Sequence, residues 1–205
     1  LLNSTWPARA GTASLMIIVD GRDSDDTLAQ ASAIGEIAEK SGALDVLLTD
    51  QKARQAEILA LRSMLYEALR PQTVEGFDVC VPRSEIAAHV SFVHALEERI
   101  GIPIPTYGHA ADGNVHSHTL KTRLDDGLFG EEIPGWPEKS AAAKRELYRD
   151  VVARRGVISG EHGIGLAKRD YLAANIGPAQ VALMRAIKKA LDPAGILNPG
   201  KIFEL

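Results

Sequence analysis

The segment Tyr107-Gly-His-Ala-Ala-Asp-Gly-Asn-Val-His-Ser-His118 gathers His109, His116 and His118 around an Asp-Gly pair. Asp112-Gly113 predicts a two-residue hairpin, because both residues accept the left-handed backbone of a type I′ turn. In that register residue 111 faces 114 and His109 faces His116, about 5 Å apart at Cβ on one side of the ribbon. Two imidazoles so placed can converge on one ion. His118 stands opposite Tyr107 and points the same way, so the third ligand is either His118 or a remote acid. The plainer alternative is a polar hairpin whose histidines make ordinary hydrogen bonds, since His-x6-His is a weak spacing by itself.

A second candidate is Ile158-Ser-Gly-Glu-His-Gly-Ile-Gly165. Its glycines permit tight turns and a row of amides that can accept an anion. Glu161 can complete a shell of two histidines and one carboxylate, leaving His162 free to move a proton. The alternative is a glycine-rich joint carrying a solvated acid and imidazole. Gly160, Gly163 and Gly165 do not make the dinucleotide pattern G-x-G-x-x-G. His89 and His94 fall among apolar helical positions and read as boundary or core histidines. Cys80, between Val79 and Val81, reads as a small core residue. Arg62 can grip a carboxylate through its planar fork or serve simply as a surface cation.

The elements that must position these groups belong to a chain of 205 residues, 45% hydrophobic and 24% charged, which is enough for a packed core. A net charge of −4 gives no basic footprint, so nucleic acid is not the default partner, while anionic small molecules stay open. One cysteine excludes an internal disulfide and cysteine-rich metal sites, and fits a cytoplasmic setting. The longest strongly apolar run, Leu15 to Val19, is far too short for a transmembrane segment.

The first half reads as strands alternating with helices. Strands are predicted at Ser14–Asp20, Val46–Leu48 and Asp78–Val81, with a helix after Asp25-Asp26 that stops near Gly42 and another from Ala53 to Arg70, closed by Pro71. Ser84 is placed to cap a helix carrying Ile86, Val90, Val93, Leu96 and Ile100 at helical spacing. Ile102–Tyr107 and Val115–Leu120 read as strands, Thr122–Pro137 as a surface excursion, Ser140–Arg155 as a helix ended by Gly156, and Gln180–Leu191 as a short amphipathic helix. The closely spaced prolines and glycines from Asp192 to Lys201 predict a shaped loop. Together these predict an α+β domain with at least five strands packed against helices and a duplicated strand-helix-strand pattern.

Four ordered segments, Asp78-Val-Cys-Val-Pro82, Gly108-His-Ala-Ala-Asp-Gly-Asn-Val-His116, Ser159-Gly-Glu-His-Gly-Ile-Gly165 and Asp192-Pro-Ala-Gly-Ile-Leu-Asn-Pro-Gly-Lys201, resemble the carboxyl-terminal domain of FAD-linked oxidases and dehydrogenases acting on D-2-hydroxy acids, a group that includes D-lactate dehydrogenase and the glycolate oxidase flavin subunit. The resemblance covers essentially residues 1–205. It implies an α+β cap with an antiparallel sheet of ferredoxin-like units, with His109, His116 and Glu161 as ligands of a divalent metal, zinc before manganese or iron. It further implies His162 as the base, Arg62 as the receiver of the substrate carboxylate, and Asn198 and Lys201, in a tail spanning 192–205, as residues facing FAD.

Relatives specialised for 2-hydroxyglutarate typically carry lysine where Gly76 stands and asparagine where His118 stands, so a smaller acid such as D-lactate or glycolate is expected, with His118 near the substrate. Such enzymes carry FAD on a preceding domain, and nothing before Leu15 is long enough to be one; the chain is expected to need that FAD-binding domain as its partner and to be inactive alone. The reduced flavin then needs an electron acceptor, whether oxygen, a quinone or another carrier. The resemblance is compatible with a homo-oligomer and with peripheral attachment to a membrane through a partner. Two rival classes use the same residues: a metal-dependent hydrolase with an activated water, and a noncatalytic assembly domain that keeps the glycine motifs for shape.

Overall fold

The computed structural model describes residues 11–125 and 127–204; Leu1 to Ala10, Asp126 and Leu205 lie outside the described residues. The chain forms two compact units, one running to Ala68 and one from Leu69 onward.

In the first unit, α1 (Ser24–Lys40) begins where Asp23 caps it, its carboxylate accepting the N–H of Asp26 at 2.9 Å. α2 (Lys52–Ser63) and α3 (Leu65–Leu69) replace the single predicted helix, which breaks at Met64. Just before that break the Ser63 hydroxyl donates to the Ala60 carbonyl at 2.8 Å, a local bond that competes with the helical ladder. A 3₁₀ turn, Arg70–Gln72, then absorbs Pro71. The strands predicted at 14–20 and 46–48 do not form: neither stretch carries a regular element, and no ladder pairs them among the described residues. Strand-forming composition is fulfilled only when a neighbouring strand supplies partners, and here Leu15, Ile18, Leu44 and Leu48 stay exposed.

The second unit carries the sheet. β1 (Thr73–Cys80), α4 (Ile86–Ile100), β2 (Thr106–His109) and β3 (Asn114–Leu120) are followed by a small hairpin of β4 (Thr122–Asp125) and β5 (Leu128–Glu132). α5 (Trp136–Ala153), α6 (Arg169–Ile176) and α7 (Pro178–Leu191) complete it. The main sheet is antiparallel in the order β1-β3-β2. After α5 the chain returns to β1, where Cys80 and Val157 exchange both backbone hydrogen bonds in an antiparallel bridge. This bridge stands where the fourth strand of a βαββαβ unit would pair, so the ferredoxin-like, α+β expectation is met. The predicted surface excursion contains the hairpin β4–β5, whose second strand is exposed throughout, and its last residues, Trp136 and Pro137, already belong to α5. α6 falls in a stretch to which no element was assigned.

Alternation along β1 and β3 separates two faces. Phe77, Val79 and Val115 turn into a core shared with Val93 and Leu96 of α4 and Leu147, Tyr148 and Val151 of α5. Asp78, Asn114, His116 and His118 turn the other way, yet all are buried. Every residue of β3 is buried, so its polar face is covered too.

Candidate functional site

The hairpin that presents the histidines differs from the predicted one. His109 pairs with Asn114 and Tyr107 with His116, around a four-residue loop in which Gly113 N–H donates to the His109 carbonyl. Gly113 has φ +83°, and a Cβ there would lie 2.1 Å from the Val81 carbonyl oxygen, so contact with the strand end, as well as the turn itself, fixes this glycine. The register therefore slips by two residues relative to a two-residue turn. Because side chains alternate with period two, the slip leaves His109, His116 and His118 on one face. The His109 and His116 rings are diagonal neighbours, with centroids 5.9 Å apart.

Against that face folds the glycine-rich loop, bringing His116, Glu161 and His162 together over Asp78. One donor atom from each of these four residues lies within 4.8 Å of every other. His116 Nε2 and His162 Nε2 are 3.6 and 3.8 Å from Glu161 Oε1, and the two rings stack with centroids 5.5 Å apart. Glu161 and His162 are more than half exposed while His116 and Asp78 are buried, so the group has a dry floor and an open mouth. His109 lies beside the cluster rather than within it.

Asp78 is a carboxylate the sequence reading did not assign. Its Oδ2 accepts the backbone N–H groups of Glu161 and His162 at 2.9 and 2.8 Å, and its Oδ1 accepts the Asn114 amide at 2.9 Å. Buried Lys168 donates to the Asp78 carbonyl at 3.1 Å and holds its ammonium 3.6 Å from Oδ2. Burial alone would raise the Asp78 pKa, but the His162 N–H, the Asn114 amide, the Glu161 N–H and the Lys168 charge together hold it well below the usual carboxylate range. Burial pushes the His116 pKa down, with Asp78 pulling against it. His118, buried beside the charges of His116 and His162, is pushed down to about 4; its Nε2 sits 3.0 Å from the Tyr107 hydroxyl. One signal could have found Asp78: it stands between the apolar strand formers Phe77 and Val79, and alternation with them turns it away from the core. Lys168 gives no comparable signal.

The remaining candidates belong to other elements of the chain. Arg62 stands near the end of α2, in the first unit. Asn198 and Lys201 occupy the exposed tail, Asn198 with a left-handed backbone at φ 47°. Asp192 shapes that tail by accepting the N–H groups of Ile196 and Leu197 at 3.1 and 2.9 Å. Ile202 N–H then donates to the Gly165 carbonyl at 2.8 Å, which ties the tail to the end of the glycine-rich loop.

The family model described as FAD linked oxidases, C-terminal domain, matches residues 2–202. The chain is 39% identical over 197 residues to D-lactate dehydrogenase of Archaeoglobus fulgidus, an alignment covering 96% of this chain and 40% of that protein. It is 32% identical over 167 residues to D-2-hydroxyglutarate dehydrogenase of Stutzerimonas stutzeri, covering 80% of this chain and 35% of that protein. With glycolate oxidase subunit GlcD of Bacillus subtilis it shares 37% identity over 153 residues, covering 74% of this chain and 29% of that protein. The chain thus spans about two fifths or less of the length of these curated relatives. Among the described residues no helix is long and apolar enough to cross a membrane.

Proposed function

The chain belongs to the family of FAD-linked oxidases, as their C-terminal domain, and from that premise we propose that the enzyme containing it oxidises a small D-2-hydroxy acid to the 2-oxo acid. The observation that carries this reading is the meeting of His116, Glu161 and His162 at an open mouth above a buried carboxylate. Two imidazoles and a carboxylate form a mixed nitrogen and oxygen donor set that suits a borderline divalent ion, zinc before manganese or iron. His116 and Glu161 would hold that ion, with His109 the neighbouring imidazole able to join them. A bound divalent ion would supply charge stabilisation to the oxygens of the hydroxy acid. FAD, on a further domain of the enzyme, would supply the hydride acceptor.

The residues of this chain do the rest. His162 Nε2 takes the hydroxyl proton, and its exposure lets substrate reach it. Arg62 receives the substrate carboxylate, fixing the reacting carbon. Asn198 and Lys201, in the exposed tail, would help hold the flavin.

Substrate size follows from Gly76, which pairs with His118 across β1 and β3. A Cβ at Gly76 would lie 3.4 Å from His118 Nδ1, so a side chain there would press on that imidazole. With glycine in place, this position offers no cation to a second carboxylate, and desolvating a dianion there is costly. D-Lactate or glycolate is therefore the expected substrate rather than D-2-hydroxyglutarate. The test is flavin reduction in the complete enzyme with these three acids and one artificial acceptor. A reproducible kcat/KM preference for D-2-hydroxyglutarate would reject the size argument, and failure of all three acids would reject the hydroxy-acid reading.

A further inference from the structure

We propose that Asp78 is a positioning residue that fixes the tautomer of both site imidazoles, placing their protons on Nδ1 so that His116 and His162 each present a bare Nε2 toward Glu161. The argument begins with what lies on Asp78. The successive N–H groups of Gly160, Glu161 and His162 all point at it, the first to its carbonyl at 3.2 Å and the other two to Oδ2. The Ser159 hydroxyl adds a longer contact to Oδ2 at 3.4 Å. A Cβ at Gly160 would lie 1.9 Å from Asn114 Nδ2 and 2.6 Å from Asp78 Oδ1, so only glycine lets the loop lie flush on the carboxylate. Loop, strand and lysine are thereby locked to one acceptor.

The two rings sit around this acceptor in the same sense. His116 Nδ1 is 3.8 Å from Asp78 Oδ1, and His162 Nδ1 is 3.8 Å from Asp78 Oδ2. On each ring the other nitrogen faces Glu161 Oε1. A neutral imidazole carries one proton and one lone pair, and a nearby carboxylate draws the proton to the nitrogen facing it. Two carboxylates compete here at similar distances. Asp78 is 1% exposed whereas Glu161 is 61% exposed, so water screens the Glu161 field far more than that of Asp78. Asp78 therefore wins the proton on both rings, and the lone pairs point to the open side.

The tautomers follow from this geometry alone; only their effect on metal affinity rests on the proposed function. In ¹⁵N-histidine-labelled chain, free of metal and at a pH where the imidazoles are neutral, both His116 and His162 should show protonated Nδ1 and bare Nε2. Asp78→Asn should move the His116 proton to Nε2, because the neutral amide removes the negative charge that draws the proton to Nδ1 across 3.8 Å. It should also weaken Zn²⁺ binding, read by competition with a chromophoric chelator, by about 10–100-fold, as expected for loss of an outer partner of a metal-binding histidine. Glu161→Gln should leave both tautomers unchanged, and this variant answers the question even if Asp78→Asn does not fold. Wild-type rings protonated on Nε2, or tautomers that respond to Glu161→Gln but not to Asp78→Asn, would overturn the proposal. Correct tautomers without any Zn²⁺ binding would sustain it and reject the metal reading.

Discussion

The second unit contains two buried meetings of histidine and aspartate that use the same groups to opposite ends. On the helical side, His89 of α4 is fully buried with Nδ1 2.7 Å from Asp150 of α5. Arg154 donates to the same carboxylate at 2.8 Å and to Glu85 at 2.8 Å. His89 Nε2 has no hydrogen-bond partner among the described residues, so this imidazole is enclosed by packing and serves to join two helices. On the sheet side, Asp78 is equally buried, but the rings around it turn their far nitrogens toward solvent and Glu161. The contrast teaches that a buried imidazole–carboxylate pair becomes chemical only where the second nitrogen has somewhere to go.

That comparison can be broken in order of effect. In the complete enzyme, His162→Ala should slow flavin reduction by roughly 10²–10⁴-fold while substrate still binds, the contribution expected of a positioned base; an unchanged rate in rapid-reaction experiments would remove His162 from that role. Next, His116→Ala and Glu161→Ala should each remove most bound divalent metal, whereas His89→Ala should leave metal content intact. Elemental analysis giving equal metal in all three and the wild type would erase the distinction between the pairs.

The helical pair should instead register in stability. Asp150→Ala leaves His89 and Arg154 without their shared acceptor and should cost about 2–3 kcal/mol in urea unfolding, with metal content unchanged. The smallest effect is pH dependence. Burial holds the His89 pKa below its ordinary 6.5, against the opposing pull of Asp150, while Arg154 adds to the depression. The unfolded chain therefore binds this proton more readily, so the His89 contribution to stability is present above pH ~6.5 and is lost as pH falls below it, until His89 protonates in the fold. The slope from this group cannot exceed about 1.4 kcal/mol per pH unit. A variant without His89 that keeps the same slope between pH 7 and 5 would assign it to other groups.

How far the sequence speaks depends on whether the determining interaction is local. The helical spacing of Ile86, Val90, Val93, Leu96 and Ile100 points to the buried face of α4 directly, and Val93 and Leu96 are indeed buried, because periodicity encodes which side meets the core. His109, His116 and His118 were placed on one face despite a register error, since a two-residue slip preserves alternation. The error itself arose because Asp-Gly describes a local turn preference, while the observed register also depends on the contact between Gly113 and Val81. Val46–Leu48 has the composition of a strand but pairs with no strand among the described residues, and pairing is not written in a single segment. Asp78 and Lys168 escaped assignment for a related reason: their importance comes from a loop that reaches them from far along the chain.

That reach bears on the order of folding. Asp78 is separated from its partners Asn114, Glu161 and Lys168 by 36, 83 and 90 residues. Contacts between distant residues must first close long loops, and they form later than local helices. We therefore expect the polar floor to be completed only after β1 and β3 have paired and α5 has folded back on them. Pulse-labelled hydrogen exchange during refolding should show the amides of Glu161 and His162 becoming protected after those of α4 and α5; simultaneous protection would contradict this sequence of events. A refolding chain would then possess its hydrophobic core before the glycine-rich loop has found the carboxylate on which it rests.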